Sequence, residues 1–458
     1  MMQPVKAPWI RPGVVVHDQA IPVDHLLADF ARSIQTRGFA VGGLVRSPPT
    51  ESRAGWDLLD LGSGTTVTVD SESPEPLILA MASRCLRGAM RDDADLVAIG
   101  GFAAFQHAAR ELKTTVGRGL SPGLPVLTSI DGQNLHQWHD TMGLDGAMLA
   151  PTLDSLWRWW GPDRLYRDLA LGVADHEVHR LVCGRRWLMV EGPFGTGLAT
   201  LPKNPAPLIA ELPKLRRRSL RALAGLCQSW DPLEMAVSIA AINAHYNRFD
   251  LHEVAADGDG ATVFRHEPGR VVVVGGFPGQ AALFPRAQVI DVDPQPGEYP
   301  IVAIDTLVPG CAAAVVTSST LINRNLPRIL RLTHGSRVAL IGPATPLTPR
   351  LYEYGLDVLG GLVVRDSRGL ASAIEAGAGP PEFTRFGATV HLRRQDAEGS
   401  ALLKHPAPGT GPAPKRDRLA CDIRFSPDET RQKPRAAGKA ARVFDDRETG
   451  TRLPAICR

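Results

Sequence analysis

The chain has 458 residues, of which 44% are hydrophobic and 22% are charged, and at about 100 to 200 residues per domain this length predicts several domains. Its 51 basic residues nearly balance its 48 acidic residues, which gives a formal charge of +3. This balance excludes the dense positive field that non-specific nucleic-acid binding requires, so we expect no nucleic-acid partner.

The first predicted domain, residues 12–155, alternates strands with helices. A strand at 14–16 precedes a helix whose apolar residues share one face, and further strands are predicted at 39–45, 96–99 and 125–130. The turn Gly62-Ser63-Gly64 joins two short strands into a hairpin, and a helix follows near 77–90. This order predicts a mostly parallel α/β layer domain.

The second predicted domain, residues 160–255, begins where the tryptophan-rich segment 157–160 breaks the alternation. Paired strands are predicted at 177–183 and 186–190. They precede two helices, one at 208–227 and an alanine-rich one at 233–246. This unit is predicted to be an α+β domain.

The third predicted domain, residues 262–395, returns to alternating strands and helices. Its strands are predicted at 271–274, 288–292, 312–316, 338–341 and 362–364. This order predicts a doubly wound sheet of Rossmann type. The remaining segment, 396–458, has 13 basic and 9 acidic residues with few apolar ones, which predicts a disordered basic tail.

The six cysteines are scattered and form no C-x-x-C pair, which argues against a zinc ribbon or a disulfide scaffold. No stretch is apolar over the roughly 18 to 20 residues that a membrane span needs. We therefore expect a protein of the reducing bacterial cytoplasm, without a membrane partner.

The turn after the first strand bears on nucleotide hydrolysis. A phosphate loop would read G-x-x-x-x-G-K-[ST] at this point, but His17-Asp18-Gln19-Ala20-Ile21-Pro22 contains neither glycine nor lysine. We expect the first domain to bind no ATP, because both the backbone anion cradle and the cation are missing.

Two histidine pairs could suggest metal binding. His176 and His179 lie three apart, and if the strand predicted at 177–183 takes in the whole cluster, they would point to opposite faces and could not bind one ion. His136 and His139 would share a helix face, but Leu135 and Trp138 indicate a helix packed on the sheet, which favours two surface histidines. Neither pair is predicted to be a metal site.

Glycine-rich and amide-rich segments in the second domain leave two interpretations open. The segment from Gly192 to Gly197 is either a ligand loop or a tight turn. Asn243 and Asn247 lie four apart on one helix, so their amides either point together at a neighbouring site or cap the helix end.

Three polar loops follow strands of the third domain directly, at 275–279, 317–323 and 342–349. Carboxyl ends of parallel strands meet at one edge of a sheet, where such folds bind ligands with backbone N–H groups, hydroxyls and amides. Asp291 and Asp293 end the second strand, where a dinucleotide fold would hold a ribose, but the required glycine spacing is absent. A small anionic or metal-bearing ligand is therefore favoured over NAD.

Four ordered motifs carry a resemblance to a known family: E-M-A-V-S-I-A-A-I-N-A at 234–244, V-V-V-G-G-F-P at 272–278, V-V-T-S-S-T-L-I-N at 315–323 and I-G-P-A-T-P-L-T-P at 341–349. Residues from about 165 to 392 thus resemble the putative heavy-metal chelation family. The resemblance implies an enolase N-terminal-like domain followed by a Rossmann-like domain, with metal handling as the proposed activity.

A second resemblance covers residues 14–160. The segments D-L-L-D-L-G-S-G at 57–64, A-D-L-V-A-I-G-G-F at 94–102 and G-L-P-V-L-T-S-I at 123–130 are similar to an uncharacterised bacterial family often encoded beside molybdenum transport genes. Together the two resemblances imply metal homeostasis or metal-cofactor assembly, with molybdenum as the implied metal.

We interpret the chain as a binding protein for a metal ion, an oxyanion or a metal-bearing cofactor, held between the second and third domains. The lack of Cys and His clusters argues against a thiolate cage for a soft metal, whereas hydroxyl and amide groups suit an oxyanion such as molybdate. Asp291 and Asp293 are candidate cofactor contacts. The candidate ligand contacts are Asn243, Gly276, Phe277, Thr320, Asn323, Thr345 and Pro346.

Two alternatives remain open at this point. The first is a lyase, ligase or transferase that acts on a small anionic metabolite in the same cleft, with Asp291, Asp293, Glu298 or His245 as acid or base. The second is a scaffold whose basic tail recruits an acidic partner. The sequence names no cofactor beyond a metal ion or molybdate, and it leaves a homo-oligomer open.

Overall fold

A computed structural model describes residues 11–18, 23–47, 55–70, 74–101, 124–136 and 146–397, together with residues 104, 106–108, 110 and 138. All of these residues belong to one compact unit that ends at Cys421. The predicted basic tail lies outside them apart from its first two residues. No helix in the described ranges is long and apolar enough to cross a membrane.

The N-terminal sheet has seven strands in the order β4-β3-β2-β5-β6-β1-β7. The run from β2 to β7 is parallel, whereas β2, β3 and β4 pair antiparallel, which confirms the mostly parallel layer and the predicted hairpin. The strands are β1 (Gly13–His17), β2 (Val41–Ser47), β3 (Gly55–Asp60), β4 (Thr66–Asp70), β5 (Leu96–Ile99), β6 (Val126–Asp131) and β7 (Ala147–Leu149).

Helices α1 (Val23–Gln35) and α2 (Pro74–Arg91) pack on this sheet. The apolar face of α1 is buried through Leu27, Phe30 and Ile34. The chain then turns at Gly38, which has φ of +95° in the left-handed region that favours glycine.

The tryptophan-rich segment forms helix α3 (Leu153–Trp160), and α4 (Leu165–Leu171) follows it. Trp157 and Trp160 are buried edge-on against Phe30, with ring centroids 5.5 and 6.1 Å apart. This aromatic packing attaches the segment to the N-terminal sheet.

The second unit contains a three-stranded antiparallel sheet formed by β8 (Arg180–Cys183), β9 (Trp187–Glu191) and β10 (Thr196–Thr200). Its helices are α5 (Ala206–Leu215), α6 (Leu220–Ala224) and α7 (Pro232–Tyr246). The α+β class is confirmed, but the single helix predicted at 208–227 is wrong. The chain breaks after Leu215 because Ser219 adopts an extended conformation and its side chain caps α6 by accepting a hydrogen bond from the Ala222 amide.

The third unit is an eight-stranded sheet in the order β11-β18-β17-β16-β15-β12-β13-β14. The pairs from β14 through β17 are parallel, which confirms the doubly wound arrangement, and β18 and β11 extend it antiparallel. The strands are β11 (Ala256–Asp257), β12 (Val271–Val274), β13 (Gln288–Asp291), β14 (Tyr299–Pro300), β15 (Ala313–Thr317), β16 (Arg337–Ile341), β17 (Val358–Val364) and β18 (Gly387–Arg393).

Seven short helices accompany this sheet. They are α8 (Gln280–Leu283), α9 (Ile304–Leu307), α10 (Ser319–Ile322), α11 (Leu326–Leu332), α12 (Ser367–Glu375), α13 (Pro380–Phe383) and α14 (Arg394–Ala397). The strand predicted at 362–364 is part of the longer β17, all of whose seven residues are buried. Such a fully buried strand shows no alternation that would mark its start.

One buried carboxylate joins the N-terminal unit to the third. Asp168 of α4 is 0% exposed and accepts hydrogen bonds from Arg37, which follows α1, and from Arg350, which follows β16. The Tyr354 hydroxyl donates a third hydrogen bond at 3.0 Å. The carboxylate is thereby compensated by two cations and a hydroxyl, as a buried charge must be.

Candidate functional site

The three polar loops of the eight-stranded sheet lie side by side at the carboxyl edge of β12, β15 and β16. Gly275 has φ of +87°, and a Cβ at this position would lie 1.9 Å from Thr317 Oγ1. Gly342 has φ of +116°, and its Cβ would lie 2.7 Å from Ser318 Oγ. Glycine is needed at both turns because the neighbouring loop occupies the space of a side chain. The structure therefore brings the three loops together.

Helix α7 carries Asn243 to the edge of this loop group. The helix begins at the cap residue Asp231, and its interior is buried on all sides. It packs unusually closely on β10, because a Cβ at Gly197 would lie 2.0 Å from the Ala240 carbonyl oxygen. This close approach places Asn243 against both β10 and the loop after β16.

Asn243 and Asn247 hold the loop after β16. The Asn243 Nδ2 group donates to the carbonyls of Leu198 and Ala344, both at 2.9 Å. The Asn247 Nδ2 group donates to the Thr345 carbonyl at 2.9 Å, and its Oδ1 accepts from the Leu347 amide at 2.9 Å. Both amides thus contact the same loop, and Asn247 is also the cap residue at the end of α7.

We name the place where β10, α7 and the 342–348 loop meet the α7 seam. Three side-chain oxygens of its residues are buried without a hydrogen-bond partner: Thr196 Oγ1, Asn243 Oδ1 and Thr345 Oγ1. The three residues are at most 1% exposed. Thr196 shares a strand face with Leu198, which packs in one apolar cluster with Ala344, so Thr196 faces the eight-stranded sheet.

The predicted donors at the sheet edge are occupied within the protein. The Gly276 amide donates to Asp291 Oδ2 at 2.7 Å, and the Phe277 amide donates to Gln280 Oε1 at 3.0 Å. The Thr320 hydroxyl is buried and donates to the Thr317 carbonyl at 2.7 Å. None of these groups offers a free hydrogen to a ligand in this conformation.

The other predicted contacts are divided between the exposed sheet edge and the α7 seam. Asn323 is exposed, and its Oδ1 accepts from the Asn325 amide at 3.1 Å. Asp293 is exposed and donates its amide to Asp291 Oδ1 at 2.9 Å. Pro346 is buried in the 342–348 loop beside Thr345. The structure therefore places Asn243, Thr345 and Pro346 in the α7 seam.

The candidate acids and bases of the enzymatic alternative occupy two places. Glu298 accepts from Gln280 Nε2 at 3.2 Å, and Gln280 in turn accepts from the Phe277 amide, so Glu298 belongs to the sheet edge beyond β13. His245 lies on α7, in the second unit. The acid and base residues proposed from sequence are thus divided between the sheet edge and helix α7.

The described residues contain no group of three or more His, Cys, Asp or Glu side chains that could hold a metal ion. Burial, with a smaller contribution from Asp60, raises the pKa of the Cys85 thiol to about 12, so this cysteine stays protonated. His136 is exposed, and its predicted partner His139 lies outside the described residues. The available metal donors in the α7 seam are oxygens.

The free groups of the α7 seam decide which ligand it can accept. Both hydrogens of the Asn243 amide are used internally, and only its oxygen remains free. A bare oxyanion needs hydrogen-bond donors, and of the three unpartnered groups only the two threonine hydroxyls can donate. The Asn243 oxygen only accepts, so it suits a cation or a ligand that donates hydrogen bonds. Side-chain hydrogen bonding, which the sequence does not display, thus changes the chemistry expected from the same residue types.

Thr196 was not among the ligand contacts predicted from the sequence. Its position at the start of β10, directly after the glycine-rich turn, could have suggested a place near a ligand, but β10 itself was not predicted. Asn247 was noted only as a partner of Asn243, although it makes two of the three amide contacts that hold the loop.

Sequence profiles of three families match the chain. Residues 261–393 match DUF364 and residues 166–246 match DUF4213, both described as "putative heavy-metal chelation". Residues 13–159 match DUF2478, described as a protein of unknown function.

Similar solved structures include two proteins of unknown function from the DUF364 family. The protein of Desulfitobacterium hafniense DCB-2 is 30% identical, with 51% of this chain and 98% of that chain covered and a TM-score of 0.46. The protein of Pyrococcus horikoshii is 19% identical, with 50% and 98% covered and a TM-score of 0.43.

A curated relative is similar over 161 residues. This protein is the molybdenum import ATP-binding protein ModC 2 of Bradyrhizobium diazoefficiens, and the identity is 25%. The match covers 33% of this chain and 18% of that protein, so the chain spans less than a fifth of its length.

Proposed function

We propose, on the premise that the chain belongs to the DUF364 family described as putative heavy-metal chelation, that it binds a metal ion or a metal-bearing ligand in the α7 seam. The observation that carries this proposal is the set of three buried, unpartnered oxygens contributed by Thr196, Asn243 and Thr345. A buried polar atom without a partner costs about 1 to 3 kcal/mol, and a ligand that satisfies these atoms recovers that free energy.

The donor set narrows the class of ligand. Two hydroxyls and one amide oxygen are neutral, hard donors, so they match an oxygen-preferring cation better than a thiophilic one. None of the three carries a charge that would neutralise a bare divalent ion. The ligand that fits best is therefore a metal already held in a complex, whose own groups supply the counter-charge and the hydrogen-bond donors.

The biological setting of this proposal is metal homeostasis or metal-cofactor assembly. Molybdenum is the first metal to test, because one curated relative over part of the chain bears a molybdenum-import name. Free molybdate fits the α7 seam less well than a molybdenum complex, since both amide hydrogens of Asn243 and one of Asn247 are already engaged and the Asn243 oxygen would face the anion.

Elemental analysis and native mass spectrometry of the purified full-length chain test this proposal together. We expect a mass excess over the polypeptide that contains a metal, and we expect the Thr345→Val variant to lose most of it. Thr320→Val is the matched control, because the Thr320 hydroxyl is already bonded to the Thr317 carbonyl and should not contact the ligand. A mass excess without metal, or one that Thr345→Val retains in full, would contradict the proposal.

A further inference from the structure

Two motifs that the α7 seam does not use lie together in the second unit. His176, from the Asp175–His179 cluster, packs edge-on against Phe194 of the glycine-rich turn, with ring centroids 5.3 Å apart. The turn is closed by a hydrogen bond from the Gly192 amide to the Gly195 carbonyl at 2.9 Å. It lies directly on the end of α7, because a Cβ at Gly195 would lie 2.4 Å from the Asn247 carbonyl oxygen.

His245 follows Ala244, whose carbonyl oxygen would lie 2.9 Å from a Cβ at Gly195 in this turn. Its side chain lies on the other side of α7 from Asn243, because two residues along an α-helix correspond to a rotation of about 200°. His245 is 5% exposed, and its ring forms no hydrogen bond with any residue that the structure describes. His176 Nε2 is buried without a partner. Two imidazoles with unused nitrogens therefore lie on segments that contact one turn.

The surroundings of these imidazoles are positively charged. Burial, together with the charges of His176, Arg350, Arg248 and Arg221, lowers the pKa of His245 to about 4. Two of these cations have a carboxylate partner: Arg350 pairs with Asp168, and Arg248 pairs with Asp250 through Nε at 2.9 Å.

Arg221 lies next to His176 in the fold, because the amide of the preceding residue, Leu220, donates to the His176 carbonyl at 2.7 Å. The Arg221 Nε donates to the Val173 carbonyl at 3.0 Å, and its guanidinium forms no ion pair with any described residue. The acids that flank His176, Asp175 and Glu177, are exposed and form no ion pair with it. Arg221 is thus a half-buried cation whose remaining N–H groups are unused.

We propose that His176, Arg221 and His245 form a second site, which binds the anionic group of a small ligand, with a tetrahedral oxyanion as its simplest case. Imidazole and guanidinium N–H groups are the donors that such an anion requires, and the guanidinium supplies the opposite charge. The same guanidinium opposes a metal ion at the two imidazoles. This site goes beyond the metal function proposed for the α7 seam, which lies on the opposite side of the helix and offers only neutral oxygen groups.

Inorganic phosphate is the probe for the test, with the full-length chain labelled at its histidine rings for nuclear magnetic resonance. Addition of phosphate should shift the ring resonances of His176 and His245, whereas the exposed His179 should not move. This measurement needs no variant, so it does not depend on whether a substitution folds.

Calorimetry then compares two arginine variants. Arg221→Gln should weaken phosphate binding by about tenfold or more, the effect of losing a hydrogen bond to a charged group. Arg217→Gln is the matched control, because Arg217 is exposed and lies four residues earlier in the same segment. Arg217→Gln should leave the affinity unchanged.

Three results would overturn the second site. They are unshifted histidine resonances at saturating phosphate, equal phosphate affinity in Arg221→Gln and Arg217→Gln, and binding of zinc in place of phosphate that His176→Gln abolishes. Thr345→Val should leave phosphate binding intact. The metal site in the α7 seam and this anion site can therefore be refuted independently of each other.

Discussion

At the scale of single residues, the chemistry of the α7 seam depends on which polar atoms already have partners. Asn243 and Thr345 could be named from sequence because they are polar residues in an alanine-rich helix and in a loop after a strand. Their free atoms could not be predicted, since Asn243 uses both amide hydrogens on carbonyls from distant segments. Thr196 was missed because its strand was not predicted.

Replacing the two buried threonines by valine should have different effects on the free energy of unfolding. Thr345 Oγ1 has no partner, so Thr345→Val should leave the free energy of unfolding unchanged or raise it by up to about 1 kcal/mol. Thr320 donates a buried hydrogen bond, so Thr320→Val should lower it by about 1 kcal/mol. Urea denaturation of the ligand-free variants measures both, and a large loss for Thr345→Val would show that its hydroxyl has a structural partner.

The lowered pKa of His245 should make the free energy of unfolding depend on pH. This pKa is lowered from the ordinary value of 6.5 to about 4, mainly by burial, so the unfolded chain takes up this proton before the folded one does. The stability contributed by neutral His245 is fully present above pH 6.5 and is lost as the pH falls toward 4, by up to about 3 kcal/mol.

Urea denaturation at pH 7 and pH 5 in phosphate-free buffer checks this dependence. The wild type should lose about 2 kcal/mol more than His245→Gln does between the two pH values. His179→Gln, in which an exposed histidine is replaced, should behave like the wild type. Equal losses in the wild type and His245→Gln would show that His245 is not buried as a neutral group.

At the scale of elements, the close packing of α7 on β10 positions the α7 seam. Gly197→Ala would place a Cβ 2.0 Å from the Ala240 carbonyl oxygen, so it should lower the free energy of unfolding by about 1 to 3 kcal/mol. Gly88→Ala in α2 is the control, because its Cβ would meet no atom within 4 Å and the change should stabilise the helix by up to about 1 kcal/mol. Thermal melting compares the stabilities of the two variants with that of the wild type. Equal changes in both would contradict the close packing of α7 on β10.

The sequence predicted the long elements better than the short ones. Periodicity located α1, α2 and α7 and the buried strands β12, β15 and β16 to within a few residues. The three-residue β7 was missed because it is too short to show a pattern. The break between α5 and α6 was missed because a cap at Ser219 ends one apolar run and begins another, which periodicity alone cannot separate.

At the scale of the whole molecule, Asp168 connects the N-terminal unit to the loop that carries Thr345. Asp168→Asn keeps the shape of the side chain but leaves two half-buried guanidiniums without their counter-charge. It should lower the free energy of unfolding by about 3 to 5 kcal/mol.

The exposed helical pair Arg158 and Asp154 supplies the control for this prediction. Asp154→Asn removes the same kind of charge from an ion pair on the surface, so it should cost less than about 1 kcal/mol. Chemical denaturation compares the two variants. Similar small losses would show that the Asp168 junction contributes little to holding the units together.

The order of strands and helices predicted the fold class of all three units, because this order constrains how layers pack. The way in which the units meet could not be predicted. Arg37, Asp168 and Arg350 are distant in sequence and carry no shared motif, and only the folded chain brings them together.

The central claim is that the α7 seam holds a metal ion or a metal-bearing ligand. Its most direct test is the metal that copurifies with wild type, Thr345→Val and Thr320→Val when the three are expressed in the same medium and purified side by side. We predict metal in the wild type and in Thr320→Val, and loss of most of it from Thr345→Val, whose affinity should be about tenfold lower because a buried ligand contact is lost. Equal metal content in Thr345→Val and wild type, or no metal in any of the three, would contradict the claim.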